Sequence, residues 1–413
     1  MTTSEIFVGL GLLLALAVGC QIAATTLRIP AIVLLLPVGF IAGASTDSVD
    51  PTELFGAAFS PMVSLAVAVI LFEGALDLNV NELEGHSQRV VRRLILWGVP
   101  ITWAGAGLLA WLLLELSSSA AVMLGAILIV SGPTVVAPLL ERARPGRRLT
   151  TILGWESTTI DPIGAIIGAL VFQALRTRVG FRPGTELLEF AGNVTLGVLG
   201  GAVGALVLWL LLEKLHLTGV LATEATIATV VAVAAACDAL RADTGLIAAI
   251  VMGAAVANLP GMKSPEDRPF FRTMVQLIIG LLFISISASV SPSSLQGVWW
   301  QSIALVACLI VVVRPLVAAA TTVRTDLTGR ERVFIGLMDP RGIVAASTAA
   351  TFAAPLAELE IVGADDLLPV TFLVIVGTVT FYGLAAAPAA RLLGLSRSED
   401  RAPPDGPVAT TST

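Results

Sequence analysis

The chain has 413 residues, of which 56% are hydrophobic and only 13% charged, with a formal charge of −6. So few charges cannot wet the surface of a soluble domain, so the solvent is lipid and a nucleic-acid-binding role is excluded. No polar linker divides it, which implies one membrane domain over residues 1–395 and a polar tail, 396–413, expected to be disordered and cytoplasmic.

Crossing about 30 Å of hydrocarbon takes roughly 17 to 25 mostly apolar residues. The first such run, 5–24, has no Lys or Arg ahead of it and reads as a transmembrane helix, not a secretory signal. It is followed by 30–44, 61–78, 94–116, 120–140, 150–175, 190–212, 222–240, 244–259, 271–290, 299–322, 333–354 and 367–393, about thirteen spans in all. The second and ninth are short. Cys20, Cys237 and Cys308 all fall inside apolar runs, with no disulfide or metal spacing.

Alternate loops carry Arg89, Arg92 and Arg93, then Arg142, Arg144, Arg147 and Arg148, then Lys263, Arg268 and Arg272, then Arg324, Arg330 and Arg332. The opposite loops hold only Arg176, Arg178, Arg182 and Arg241, and acidic Asp47, Asp50, Glu53, Glu358, Glu360, Asp365 and Asp366 gather there. Cytoplasmic loops retain Lys and Arg, so the N-terminus is expected outside and the C-terminus inside a cytoplasmic membrane.

This arrangement lets residues 5–175 and 222–393 be two inverted repeats joined by a connector helix, 190–212, the logic of a secondary transporter. Corresponding Pro/Gly interruptions mark the binding site of such proteins. Ser131, Gly132 and Pro133 interrupt the fifth span, and Asp339, Pro340, Arg341 and Gly342 interrupt the twelfth, each the fifth of its half. Pro133 and Pro340 lack the N–H that would serve the carbonyls of Ile129 and Gly336, which leaves those carbonyls free to face an ion.

A charge at mid-membrane costs about 2.5 to 3.5 kcal/mol on insertion scales, so each needs a partner or a role. The sixth span, GWESTTIDPIGA, holds Glu156 roughly 9 Å deep and Asp161 roughly 17 Å deep, close to the midplane. Ser157 shares a helix face with Asp161, a hydroxyl and carboxylate suited to binding a monovalent metal cation, and Pro162 frees the Thr158 carbonyl. Arg341, counted from Val333, lies roughly 12 Å deep and is expected to form a structural ion pair with Glu156. Arg314 is read as snorkelling toward the inner end of its helix. Asp339 and Glu73 are each either a second cation ligand or a protonated or hydrated carboxyl.

The segments IPAIVLLLPVGFIAG, LFEGALDL, SGPTVVAPLL, GWESTTIDPIGA, DTGLIAAIVMGAAVAN and DPRGIVAAS, in this order, resemble the NhaP-like branch of the monovalent cation/proton antiporters over nearly the whole membrane domain. The resemblance implies an all-α sodium/proton antiporter fold with two crossed, broken helices, assembled as a homodimer in the bilayer. It implies exchange of Na+, with K+ and Li+ as alternatives, for H+ without a resident cofactor, by movement of a core domain against a dimerisation domain. It also makes Asp161 the carboxylate that binds cation or proton, assisted by Ser157. Two positions depart from the family pattern, Ile160 for its usual Asn and Gly132 for its usual Asp after Ser131, and both bear on cation choice. A single central carboxylate implies one-for-one, electroneutral exchange. The alternative is a sodium-coupled symporter of an organic solute on a related fold. Enzyme activity is not expected, because no nucleophile, base and orienter occur together.

Overall fold

The computed structural model describes residues 2–27, 29–46, 49–76, 78, 86–177, 183–241, 244–259 and 268–396. The tail expected to be disordered therefore lies, beyond Ser396, outside the described residues. Among those described, nine helices are long and apolar enough to cross a membrane, and four shorter apolar ones complete the thirteen spans read from the sequence.

In chain order the helices are α1 (Thr3–Leu27), α2 (Ile32–Ser45), the short α3 (Pro51–Phe55), α4 (Phe59–Ala75), α5 (His86–Arg93) and α6 (Val99–Leu113). Then come α7 (Ser118–Ile127), α8 (Pro133–Ala143), α9 (Arg147–Thr177), α10 (Pro183–Trp209), α11 (Gly219–Leu240) and α12 (Thr244–Asn258). The last six are α13 (Arg268–Ala288), α14 (Trp299–Cys308), α15 (Arg314–Thr322), α16 (Gly329–Ile335), α17 (Ile343–Glu358) and α18 (Leu367–Leu392).

The fifth and twelfth spans are broken where the sequence places Gly and Pro. α7 starts at a Ser117 cap whose hydroxyl accepts from the amide of Ala120, and α16 starts at a Thr328/Glu331 capping box. Each soon stops. A residue before proline is pushed out of the helical region, and Gly132 is extended at φ −77°, ψ 137°, with Pro133 opening α8. Asp339 precedes Pro340 in the second break, and the extended Gly342 opens α17.

Of the three π-helical turns among the described residues, Leu210–Lys214 ends the seventh span, and two lie within spans, Leu94–Gly98 between α5 and α6 and Leu309–Val313 between α14 and α15. A proline follows each of these two by two residues, Pro100 and Pro315, and its missing N–H leaves a carbonyl four residues back without a donor, the condition that favours a wider turn. These two turns lie near each other, since a Cβ on Gly98 would meet Val317 and one on Gly105 would meet Val313.

Packing divides the helices into two bodies. One holds α1, α2, α4, α10, α11, α12 and α13. Gly197, Gly201 and Gly204 of α10 seat against Ile247, Val251 and Met252 of α12, and Gly39 and Gly43 of α2 against Ile284 and Ala288 of α13. In lipid the hydrophobic effect does not draw helices together, so close approach at small residues supplies the dispersion that does. The other body holds α5 to α9 and α14 to α18, with Gly107 of α6 against Ala121 and Gly125 of α7. Both broken spans belong to this second body.

Candidate functional site

The two breaks cross. A Cβ on Gly342 would lie 3.0 Å from Gly132 Cα and 3.2 Å from its nitrogen, so neither position admits a side chain without displacing backbone. α8 and α17 both begin here, and two helix N-termini, each carrying a partial positive charge, meet at one point.

Asp161 of α9 faces that point. Its Oδ2 lies 3.6 Å from where a Gly132 Cβ would be, it is 0% exposed, and neither carboxylate oxygen has a hydrogen-bond partner. Ser157, one turn earlier, is buried beside it on α9 and donates to the carbonyl of Gly154 at 3.1 Å. Thr158 is buried too, and Pro162 sits within an unbroken α9. Ser131 is buried in the first break.

The ion pairing differs from the sequence expectation. Glu156 is held not by Arg341 but by Arg314, through two hydrogen bonds of 2.6 and 2.9 Å with both side chains 3% exposed. Arg341 instead bonds Asp339 at 2.8 Å and reaches the carbonyl of Ile129 at 3.5 Å. The twelfth span is not one helix running from Val333, so a uniform helical rise misplaces Arg341. α16 ends at Ile335, and Arg341 lies in the extended stretch beyond, at the crossing. Nor does Arg314 snorkel, since the π-helical turn just before it precedes a buried guanidinium whose Nε also donates to the carbonyl of Ile335 at 3.0 Å. The Arg-Pro pair at 314–315 was the available signal, being a charge beside a helix-distorting proline.

Of the two carbonyls the sequence reading left to an ion, an arginine serves that of Ile129, whereas at the second break the carbonyl served is that of Ile335 and not Gly336. Arg341 reaches the freed Ile129 carbonyl beyond α7, and Arg314 bonds the carbonyl ending α16, so both half-helix C-termini meet guanidinium groups. Asp339 has Arg341 on Oδ1 and Arg314 3.9 Å away, so its charge is matched. Two acids and two arginines therefore balance, and Asp161 is the charge of this cluster left over. Glu73 belongs to the other body, on α4, where Arg272 donates to its carboxylate at 3.1 Å.

Two cavities lie between the bodies. The larger, about 1130 Å³, opens on the arginine-rich side and is bordered by Glu73 and Arg272 on one wall and by Thr134, Ser157 and Thr158 on the other. The smaller, about 500 Å³, lies toward the opposite side, between Ser64 and Asp238 on one wall and Ala165 and Thr348 on the other. Ser157 and Ala165 each lie four residues from Asp161 along α9, so the cavities approach the carboxylate from opposite ends.

The profile of the transmembrane sodium/hydrogen exchanger family matches residues 12–392. The K+/H+ antiporter NhaP2 of Shewanella sp. (strain MR-4) is 24% identical over 343 residues, which cover 81% of this chain and 58% of that protein. The chain thus spans less than two thirds of that relative. The Na+/H+ antiporter NhaH of Halobacillus aidingensis is 23% identical over 414 residues, covering 95% of this chain and 99% of that one. In three dimensions the chain is similar to the sodium proton antiporter MjNhaP1 of Methanocaldococcus jannaschii, with a TM-score of 0.78, 22% identity, and coverage of 95% and 100% respectively.

Proposed function

The chain belongs to the sodium/hydrogen exchanger family, and from that premise we propose that it exchanges a monovalent cation, Na+ first, for H+ across a cytoplasmic membrane. The observation that carries this reading is Asp161, a fully buried carboxylate with both oxygens unpartnered, set where two helix N-termini meet. A buried carboxylate without a partner is unfavourable until a cation or a proton neutralises it. Either ligand suffices, and each excludes the other.

Because the four neighbouring charges already balance, the loaded site crosses uncharged with either ligand, and exchange is one for one and electroneutral. Ser157, the Thr158 carbonyl and Ser131 are the oxygens nearest in sequence to complete the site. Glu73, on the cavity wall, is an entry ligand, and Asp339 keeps the arginines in place. Alternating access is a sliding of the second body, carrying Asp161, against the first, which opens one cavity as the other narrows. The cavities' position between the bodies supports that motion. In this reading the inverted repeats are 5–175 and 222–393 around a 190–212 connector. The first body also joins two copies in a homodimer, with the N-terminus outside and the C-terminus in the cytoplasm.

The test is proton movement in inside-out vesicles on addition of NaCl, KCl and LiCl in turn. Na+-driven proton release is expected, and release by K+ alone would reassign the cation. Absence of any response, or a response that needs an organic solute, would remove the reading in favour of symport.

A further inference from the structure

Asp161 is not the only polar group left open at the crossing. The hydroxyl of Thr134, in the first turn of α8, is also buried and has no hydrogen-bond partner. A threonine in a helix ordinarily donates to a carbonyl three or four residues back. For Thr134 those residues are Ser131 and Val130, which lie in the extended break, and that outlet is not used.

The two open groups converge on one small volume. The Cβ that Gly132 lacks would sit 3.3 Å from Thr134 Oγ1 and 3.6 Å from Asp161 Oδ2, with Gly342 Cα 3.3 Å away. Any other residue at 132 would fill that space. Thr134 also borders the larger cavity with Ser157 and Thr158, so the volume has a route to the arginine-rich side. A buried hydroxyl stays unpaired at a cost, and a hard oxygen beside an unpaired carboxylate is what an alkali cation takes as a ligand.

Resting on the exchange reading above, we infer that Thr134 Oγ1 is a direct ligand of the transported cation, which binds with Asp161 in the space kept open by Gly132. The hydroxyl contributes to cation binding and not to proton binding, because a proton on Asp161 needs no second oxygen. Thr134 thereby sets the preference of the site for cation over proton.

The experiment measures the half-saturating NaCl concentration for proton release in inside-out vesicles carrying the full chain. Thr134→Val replaces the hydroxyl by a methyl of similar volume and should raise that concentration about tenfold, while Thr134→Ser, which keeps the oxygen, should stay within about twofold of the original. Thermal melting in detergent shows whether the valine variant is folded, and where it is not, Thr134→Ala carries the same expectation. An unchanged constant in the valine or alanine variant overturns the inference, and so does a serine variant as impaired as they are. Failure of the exchange reading looks different, because the unmutated chain would then release no protons with any alkali chloride.

Discussion

Arg314 closes on Glu156 through two hydrogen bonds, Nη1 to Oε1 at 2.6 Å and Nη2 to Oε2 at 2.9 Å, and so ties α15 to α9 inside the body that carries Asp161. Removing one partner of a buried pair strands the other charge, at about 3 to 5 kcal/mol. Arg314→Ala should therefore lower the thermal midpoint in detergent more than any surface substitution does. The Glu156→Gln/Arg314→Gln double variant should recover part of the loss, and a double variant no more stable than either single one would argue against the pairing. Arg314→Lys gives up the bidentate geometry and should remain impaired.

Asp161→Asn keeps the shape of the side chain and removes its charge. Cation-driven proton release should vanish while the chain remains folded, as judged by the same melting assay. Retained release would move the carrier role to another acid, Glu73 first among them.

If protons and cations compete for Asp161, acidification raises the half-saturating cation concentration but leaves the maximal rate at saturating cation unchanged. Rate measurements over a range of cation concentrations at several pH values check this. A maximal rate that falls on acidification in step with the affinity would point to a separate proton site.

Gly43 of α2 lies so close to α13 that an added Cβ would come within 2.6 Å of Ala288 Cα, a backbone atom that cannot swing aside. Gly43→Ala should cost about 1 to 3 kcal/mol by overpacking. Gly11, whose Cβ would meet nothing within 4 Å, should accept alanine with little change in melting temperature.

Asp366, at the start of α18 in the acidic loop, has its carboxyl raised above the usual range, first by burial and then by neighbouring Asp365. The folded chain then holds this proton more tightly than the unfolded one, so stability declines as pH rises through that window. Asp366→Asn should melt slightly higher than the original at neutral pH and no higher at acidic pH. A lower midpoint at neutral pH would contradict the assignment.

The spans were legible because the period and length of apolar runs are imposed by the bilayer, whatever the tertiary arrangement. The two breaks were legible for a local reason as well, since proline removes a donor and glycine tolerates the close crossing that results. Asp161 stood out because a carboxylate at mid-membrane needs a reason to be there. Side-chain pairing was not legible in the same way. Glu156 had two arginines within plausible depth, and the choice turned on a break that moved Arg341 off the helical count and on a π-helical turn just before Arg314.

Thr134 escaped the sequence reading because a threonine in an apolar helix normally bonds its own backbone and attracts no notice. Composition, span periodicity and the paired Gly-Pro interruptions determined that this chain is a thirteen-span membrane protein with two broken helices and a lone central acid, all consequences of local chemistry and the solvent. The packing of the two bodies decided which arginine neutralises which acid, which carbonyls are served, and which oxygens are left open at the crossing, because those depend on groups from separate spans, such as Glu156 with Arg314 and Ile129 with Arg341, being brought within 4 Å.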